Sequence, residues 1–114
     1  MLKAKIHRAT VTETKIDYPG SIAIDSKLMD AVGILPYEAV LIADVTNGAR
    51  LETYAVPAEA GSGKIEVLGA AAHLINQGDI IIIINFAQFT PEEAKGHKPK
   101  VVVPDEKNQI KKIL

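Results

Sequence analysis

The stretch Val40-Leu41-Ile42-Ala43-Asp44-Val45-Thr46-Asn47-Gly48-Ala49-Arg50-Leu51-Glu52-Thr53-Tyr54-Ala55-Val56 decides the fold class, because it reads as a complete β-hairpin. Val40 to Thr46 is an apolar, β-branched strand, Asn47-Gly48 is a tight turn, and Ala49 to Val56 is the returning strand. Alternation puts Arg50, Glu52 and Tyr54 on one face of the return and Leu51, Thr53 and Ala55 on the other. The same grammar continues on both sides. Leu2, Ala4 and Ile6 alternate with Lys3, Lys5 and His7, so a half-buried strand carries Lys5 and His7 on one face. Val11 to Ile16, rich in Thr and β-branched residues, continues as a second strand. It stops at Tyr18-Pro19-Gly20-Ser21, where the Pro-Gly pair suits a type II turn. Ser21 to Ile24 and Ile65 to Leu68 are further short strands, the latter reached through a flexible Gly61-Ser62-Gly63 connection. Ile80 to Ile84 lacks alternation, which predicts a strand buried on both faces. Helices are brief: one after Asp25 or Ser26 stopped by Gly33, one or two turns within Ala70 to Gln77 stopped by Gly78, and one begun by Thr90-Pro91-Glu92-Glu93. Lys111 to Leu114 is expected to fray. Many short strands with brief helices indicate a mainly β domain, a small barrel.

Composition bounds the function. A chain of 114 residues with 47% apolar content is one compact domain, 1–114, with no internal repeat or linker. Its formal net charge of -1 favours neither nucleic acid nor an anionic membrane as partner. Cysteine is absent, which removes disulfides, thiolate metal sites and a cysteine nucleophile. The N-terminus lacks a signal-peptide core, and the Ile80–Ile84 run is far shorter than the roughly 20 apolar residues of a membrane span. The expectation is a soluble, cytoplasmic protein.

Several residues can carry chemistry. At Gly20-Ser21 a serine hydroxyl follows a carbonyl that no side chain shields, and glycine tolerates the strained turn that would present it. Attack by Ser21 converts the amide to an ester; elimination then cuts the chain and leaves dehydroalanine, which hydrolyses to a pyruvoyl group. The plain alternative is an ordinary turn between strands. Arg50 and Lys5 can hold carboxylates, Arg50 through its planar fork, while the alternative is a solvated strand face. Tyr54 can donate a proton or simply pack, and alternation separates it from Thr53. Gly69-Ala70-Ala71-Ala72 lets backbone N–H groups approach an anion, or is a tightly packed turn. Gly61-Ser62-Gly63-Lys64 fails as a phosphate loop, because Ala58 and Ile65 stand at its defining positions. His7, His73 and His97 have no metal-ligand spacing, so no metal is expected.

Taken together and in order, these pieces resemble the bacterial aspartate 1-decarboxylases. The matching runs are Lys5-Ile6-His7-Arg8, Tyr18-Pro19-Gly20-Ser21-Ile22-Ala23-Ile24-Asp25, Asn47-Gly48-Ala49-Arg50 with Thr53-Tyr54, Gly69-Ala70-Ala71-Ala72-His73, and Gly78-Asp79 before the Ile run. The resemblance implies a small six-stranded double-psi β-barrel with short helices, made as a proenzyme. Residues 1–20 would become a β chain and 21–114 an α chain, with Ser21 converted to the pyruvoyl cofactor. It implies a homotetramer with active sites between subunits, and processing that can enlist a maturation factor. L-aspartate would condense with the pyruvoyl ketone as a Schiff base and lose its α-carboxylate to give β-alanine and carbon dioxide, feeding pantothenate synthesis. Arg50 and Lys5 would hold substrate carboxylates, and Gly69, Ala70 and Ala71 would add backbone hydrogen bonds. Tyr54 would reprotonate the carbanion. Thr53 would assist with substrate and polarise the Gly20 carbonyl during processing, and Tyr18 would orient groups at the cut. Two positions depart from the family pattern: Ile22 where many relatives have Cys, and Leu68 where relatives often carry an Asn able to hydrogen-bond near the site. The rivals are a non-catalytic double-psi barrel acting as a binding or assembly module, and a pyruvoyl enzyme for another acidic amino acid.

Overall fold

A computed structural model describes residues 1–114. Nine strands run as β1 (Leu2–Thr10), β2 (Glu13–Lys15), β3 (Ser21–Asp25), β4 (Ala39–Asp44), β5 (Arg50–Ala58), β6 (Ile65–Leu68), β7 (Ile80–Phe86), β8 (Lys100–Pro104) and β9 (Ile110–Ile113). Two short helices, α1 (Ser26–Val32) and α2 (Pro91–Lys95), and a 3-10 turn over Gly69–His73 complete the chain. The strands join in the order β2-β6-β3-β5-β4-β7-β1-β8-β9. Parallel pairs β1/β8, β2/β6 and β3/β5 interrupt the antiparallel ladders. This mainly β architecture is consistent with a double-psi β-barrel.

The inward side chains explain why the sheet curls. Ile6, Ile22, Ile24, Ile42, Ile65, Ile81 and Ile83 are fully buried, joined by Leu28 and Val32 of α1. Each such side chain contributes about 1.5–3 kcal/mol through burial. Asp25 caps α1 by accepting from Lys27 N, and Gly33 ends it in a left-handed turn. Thr90 and Glu93 form a reciprocal capping box on α2. The far ends of the strand order meet through polar groups. Thr12 N donates to the Ile65 carbonyl at 2.9 Å, and Ile65 N returns to Thr12 Oγ1 at 3.0 Å. Buried Asn108 accepts from Thr10 N and donates to the carbonyls of Thr10 and Gly63, at 2.8–2.9 Å.

Several sequence expectations change in detail. The Asn47-Gly48 turn is not a two-residue hairpin; the loop 45–49 wraps around Asp44, whose Oδ1 accepts from Thr46 N and Asn47 N. The Val11–Ile16 strand contracts to β2, and the turns within Ala70–Gln77 to a 3-10 segment starting at Gly69. The Ile80–Ile84 run alternates, with Ile81 and Ile83 buried and Ile80, Ile82 and Ile84 half-buried. The strand buried on both faces is β3, which sits between β5 and β6. Gly61-Ser62-Gly63 is anchored rather than flexible: Asp25 accepts from Gly61 N and Gly63 N at 2.9 and 2.8 Å. Ile110–Ile113 does not fray but pairs antiparallel with β8.

Asn108 has a left-handed backbone (φ 60°), and its amide side chain bonds both Thr10 and Gly63. Asn108→Ala should cost about 2–4 kcal/mol in urea unfolding, from lost bonds and stranded carbonyls. An unchanged midpoint would show that barrel closure does not depend on this side chain.

Candidate functional site

The turn at residues 18–20 is held from below by β6. Ser21 pairs with Leu68 in the antiparallel β3/β6 ladder, so the next residue, Gly69, lies beneath the turn. Gly69 has φ +83°, and a Cβ placed there would stand 2.6 Å from Gly20 Cα and 3.0 Å from the Tyr18 carbonyl oxygen. Both requirements, the left-handed backbone and the close approach, demand glycine. Gly20 itself is open, with nothing within 4 Å of a Cβ there.

The parallel β3/β5 register starts at Ile22 with Ala55. Extended back by one and two residues, that register would set Ser21 level with Tyr54 and Gly20 level with Thr53. Neighbouring strands lie about 4.8 Å apart, so these are adjacent positions. Ser21 is 5% exposed, Tyr54 38% exposed, and Thr53 half-buried on the opposite face of β5 from Tyr54. Tyr18 is exposed, with the Lys15 ammonium 5.1 Å from its ring centre. The expected residues Tyr18, Gly20, Ser21, Thr53, Tyr54 and Gly69 therefore gather around one turn. Ala70 is exposed and Ala71 half-buried in the 3-10 turn that follows.

Arg50 and Lys5 do not join them within one chain. Arg50 lies four residues before Tyr54 on β5, about 13 Å along the strand. Its cross-strand row runs Arg50–Ala43–Ile82–His7, and the next row runs Glu52–Leu41–Ile84–Lys5. Lys5 is thus three strand spacings from β5, about 14 Å across the outward face. The ion pairs are Lys3–Glu38, Lys15–Glu13 and Lys95–Glu92, so neither Arg50 nor Lys5 is neutralised by a carboxylate. The outward face between them is apolar, formed by Leu41, Ile82 and Ile84 with exposed Phe86 at one end.

Two neighbours were not evident from sequence. Tyr37, 77% exposed with φ 73°, stands with its ring centre 6.5 Å from that of Tyr54. No period or motif marks it, because it lies in a loop. His7 shares the Arg50 row, and its Nδ1 is buried without a hydrogen-bond partner. Burial first, then the charges of Lys5 and Arg8, hold its imidazole below the ordinary value near 6.5. No set of three or more His, Asp or Glu side chains has metal-binding geometry.

Two outcomes follow from this geometry. Gly69→Ala must displace the 18–20 turn or strain the backbone, so it should lower stability by about 1–3 kcal/mol and shift the amide resonances of Tyr18, Gly20 and Ser21. Shifts confined to residues 68–71 would contradict the contact. His7 is neutral in the folded protein over a span of pH where the unfolded chain is protonated, so its contribution weakens stability as pH falls from about 6.5 through the lowered value. Lys5→Gln removes one opposing charge and should raise the His7 midpoint in an NMR titration of the ring protons.

Comparison with known proteins identifies the family. The family model described as aspartate decarboxylase matches residues 1–111. Proteins named aspartate 1-decarboxylase from Listeria monocytogenes serotype 4a, Listeria welshimeri serovar 6b and Bacillus licheniformis are 55%, 54% and 51% identical over 114 residues. Each alignment covers 100% of this chain and 90% of the relative. The chain, with its Gly20-Ser21 turn seated on Gly69, belongs to the aspartate decarboxylase family.

Proposed function

We propose that this chain cuts itself between Gly20 and Ser21, and that the mature protein decarboxylates L-aspartate to β-alanine and carbon dioxide. What supports the reading is the open Gly20 beside buried Ser21, with Thr53 and Tyr54 directly preceding the β5 residues that pair with β3. Full-length identity to proteins named for this reaction supplies the substrate.

The residues divide the work. In processing, Gly69 keeps the Gly20 backbone where the Ser21 hydroxyl can attack its carbonyl, Thr53 polarises that carbonyl, and Tyr18 orients the turn. Residues 1–20 become the β chain and 21–114 the α chain. The pieces stay one domain, because β1 pairs with β7 and β8 while β2 pairs with β6. The open space beside Gly20, where a Cβ would meet nothing within 4 Å, leaves room for a small planar group at the neighbouring position 21. A pyruvoyl group there supplies an electrophilic ketone for the substrate amine and a sink for the electron pair left by the departing carboxylate. Arg50 and Lys5 bind carboxylates of L-aspartate, aided by backbone groups of Gly69, Ala70 and Ala71 and by Thr53. The Tyr54 hydroxyl returns a proton to the substrate carbon.

A homotetramer with sites between subunits reconciles these roles with distance. Arg50 and Lys5 are too far from Ser21 to share one small substrate within a chain, and the apolar outward face between them is suited to a second copy. We place the activity in the cytoplasm, with pantothenate synthesis consuming the β-alanine; no helix is long and apolar enough to cross a membrane.

Denaturing mass spectrometry of wild type beside Ser21→Ala tests the reading. Wild type should separate into two chains, the larger starting with a pyruvoyl group, and Ser21→Ala should stay whole. Turnover of L-aspartate, and not glutamate, should accompany the cut. A single intact mass for both proteins after long incubation would favour a non-catalytic barrel, and slow cutting hastened by cell extract would implicate a maturation factor.

A further inference from the structure

Asp44 closes β4 and Asp79 precedes β7, and both side chains are buried at 2% and 7% exposure. Their hydrogen bonds tie down two loops. Asp44 Oδ1 accepts from Thr46 N at 2.8 Å and Asn47 N at 3.2 Å, shaping the loop that leads into Arg50. Asp79 Oδ2 accepts from Asn76 N at 3.0 Å, closing the loop that follows the Gly69–His73 turn. The loops also meet directly: Asn47 Nδ2 donates to the Leu74 carbonyl at 2.8 Å, and Ile80 N donates to Thr46 Oγ1 at 3.1 Å.

One atom in this cluster is unaccounted for. Asp44 Oδ2 is shut off from solvent and receives no N–H. The Asp79 carboxyl is its neighbour across the two loops: Asp44 pairs with Ile81 in the β4/β7 ladder, and Val45 N donates to the Ile80 carbonyl at 2.8 Å. Two ionised carboxylates are acceptors only, so oxygen can bond to oxygen here only through a proton. We propose that Asp44 and Asp79 share one proton, and that this acid pair is a positioning device clamping the loop ahead of Arg50 to the loop after Gly69–His73. The proposal's functional half rests on the reading that Arg50 binds the substrate carboxylate.

The surroundings favour the proton over a counter-charge. Thr46, Asn47 and Asn76 face the pair and are neutral. Arg50, the charged residue that begins β5, points to the outward face; His73 at the end of the 3-10 turn and Arg8 on β1 are exposed. Burial, and then the Asp79 carboxyl, push Asp44 above its ordinary range. An acid raised in the folded state is stabilising when protonated. Its contribution falls as pH climbs from the ordinary aspartate value near 3.9 to the raised one, and is constant beyond.

Asp79→Asn and Asp79→Ala separate the possibilities. The amide of Asp79→Asn can donate an N–H to Asp44 Oδ2, keeping the bridge without its proton, whereas Asp79→Ala leaves Asp44 buried and alone. In wild type the Asp44 carboxyl should titrate above the ordinary range in carbon-13 NMR, and in Asp79→Asn its midpoint should fall. Between pH 4 and 7 the urea stability of wild type should decline relative to that of Asp79→Asn, in which the contributions of the other titrating groups are the same. KM for L-aspartate should rise about tenfold in Asp79→Ala, with a smaller change in kcat, and return most of the way in Asp79→Asn. An ordinary Asp44 midpoint in wild type overturns the shared proton. Equal KM values for the two variants overturn the positioning role. Where Asp79→Ala does not fold, the NMR and urea comparison of wild type with Asp79→Asn decides the shared proton. If wild type turns over no L-aspartate, the functional reading fails, while the titration still decides the shared proton.

Discussion

The contact between Gly69 and Gly20 is the constraint around which the chain is arranged. A Cβ at position 69 would overlap the backbone at position 20, so the two segments can approach this closely only because glycine stands at 69 in a left-handed conformation. The approach in turn fixes what surrounds it. Leu68 must pair with Ser21, the 3-10 turn must start at once, and β2 must lie along β6 to bring the chain back to the turn. β3 then has β6 on one side and β5 on the other, which accounts for its complete burial.

A physical division separates the two halves of the proposed chemistry. The residues assigned to cutting lie within adjacent strand positions of one chain, whereas Arg50 and Lys5 lie more than ten ångströms away on the outward sheet face. In the proposed scheme cutting would draw on residues of one chain, and substrate binding would draw on a second surface. The outward row of Leu41, Ile82 and Ile84 fits that arrangement, since half-buried aliphatic residues between unpaired cations gain burial when another subunit covers them. The lowered imidazole of His7 belongs to the same face. A neutral ring between Lys5, Arg8 and the Arg50 row limits like-charge repulsion there.

Much of this was legible because periodicity records the two faces of a strand. Alternation placed Arg50 and Tyr54 together, Lys5 with His7, and Thr53 apart from Tyr54, as the structure has them. The Ile80–Ile84 run misled because isoleucine occupies both faces: the inner ones fill the core, while the outer ones lie on the half-open outward surface. The Asn47-Gly48 signal found the reversal but not its length, since the capping strength of Asp44 outweighs the two-residue turn. Convergence across strands was the illegible part. Register between β3 and β5 depends on packing far along the chain, so the levelling of Ser21 with Tyr54 and Gly20 with Thr53 has no local signature.

Buried polar residues in this barrel act as loop anchors, and comparing them shows why one pair stands out. Asp25 has both oxygens occupied, by Lys27 N and Gly61 N on one and Gly63 N on the other. Asn108 spends its amide on Thr10 and Gly63. Both replace solvent with backbone groups, which makes their burial tolerable. Asp44 does so with one oxygen only; its other oxygen is buried without an N–H partner, and the buried acid Asp79 lies in the adjoining loop. An amide at either position would bridge the loops without any titration, so an acid pair is the costlier solution to anchoring alone. The difference lies in what an acid pair adds: a bridge present when one proton is bound and repulsive when it is lost, placed between the loop that feeds Arg50 and the loop that follows Gly69. The proposed cut after position 20 would leave both of those loops in the larger chain, so this coupling would outlast maturation and act on the site proposed to bind substrate.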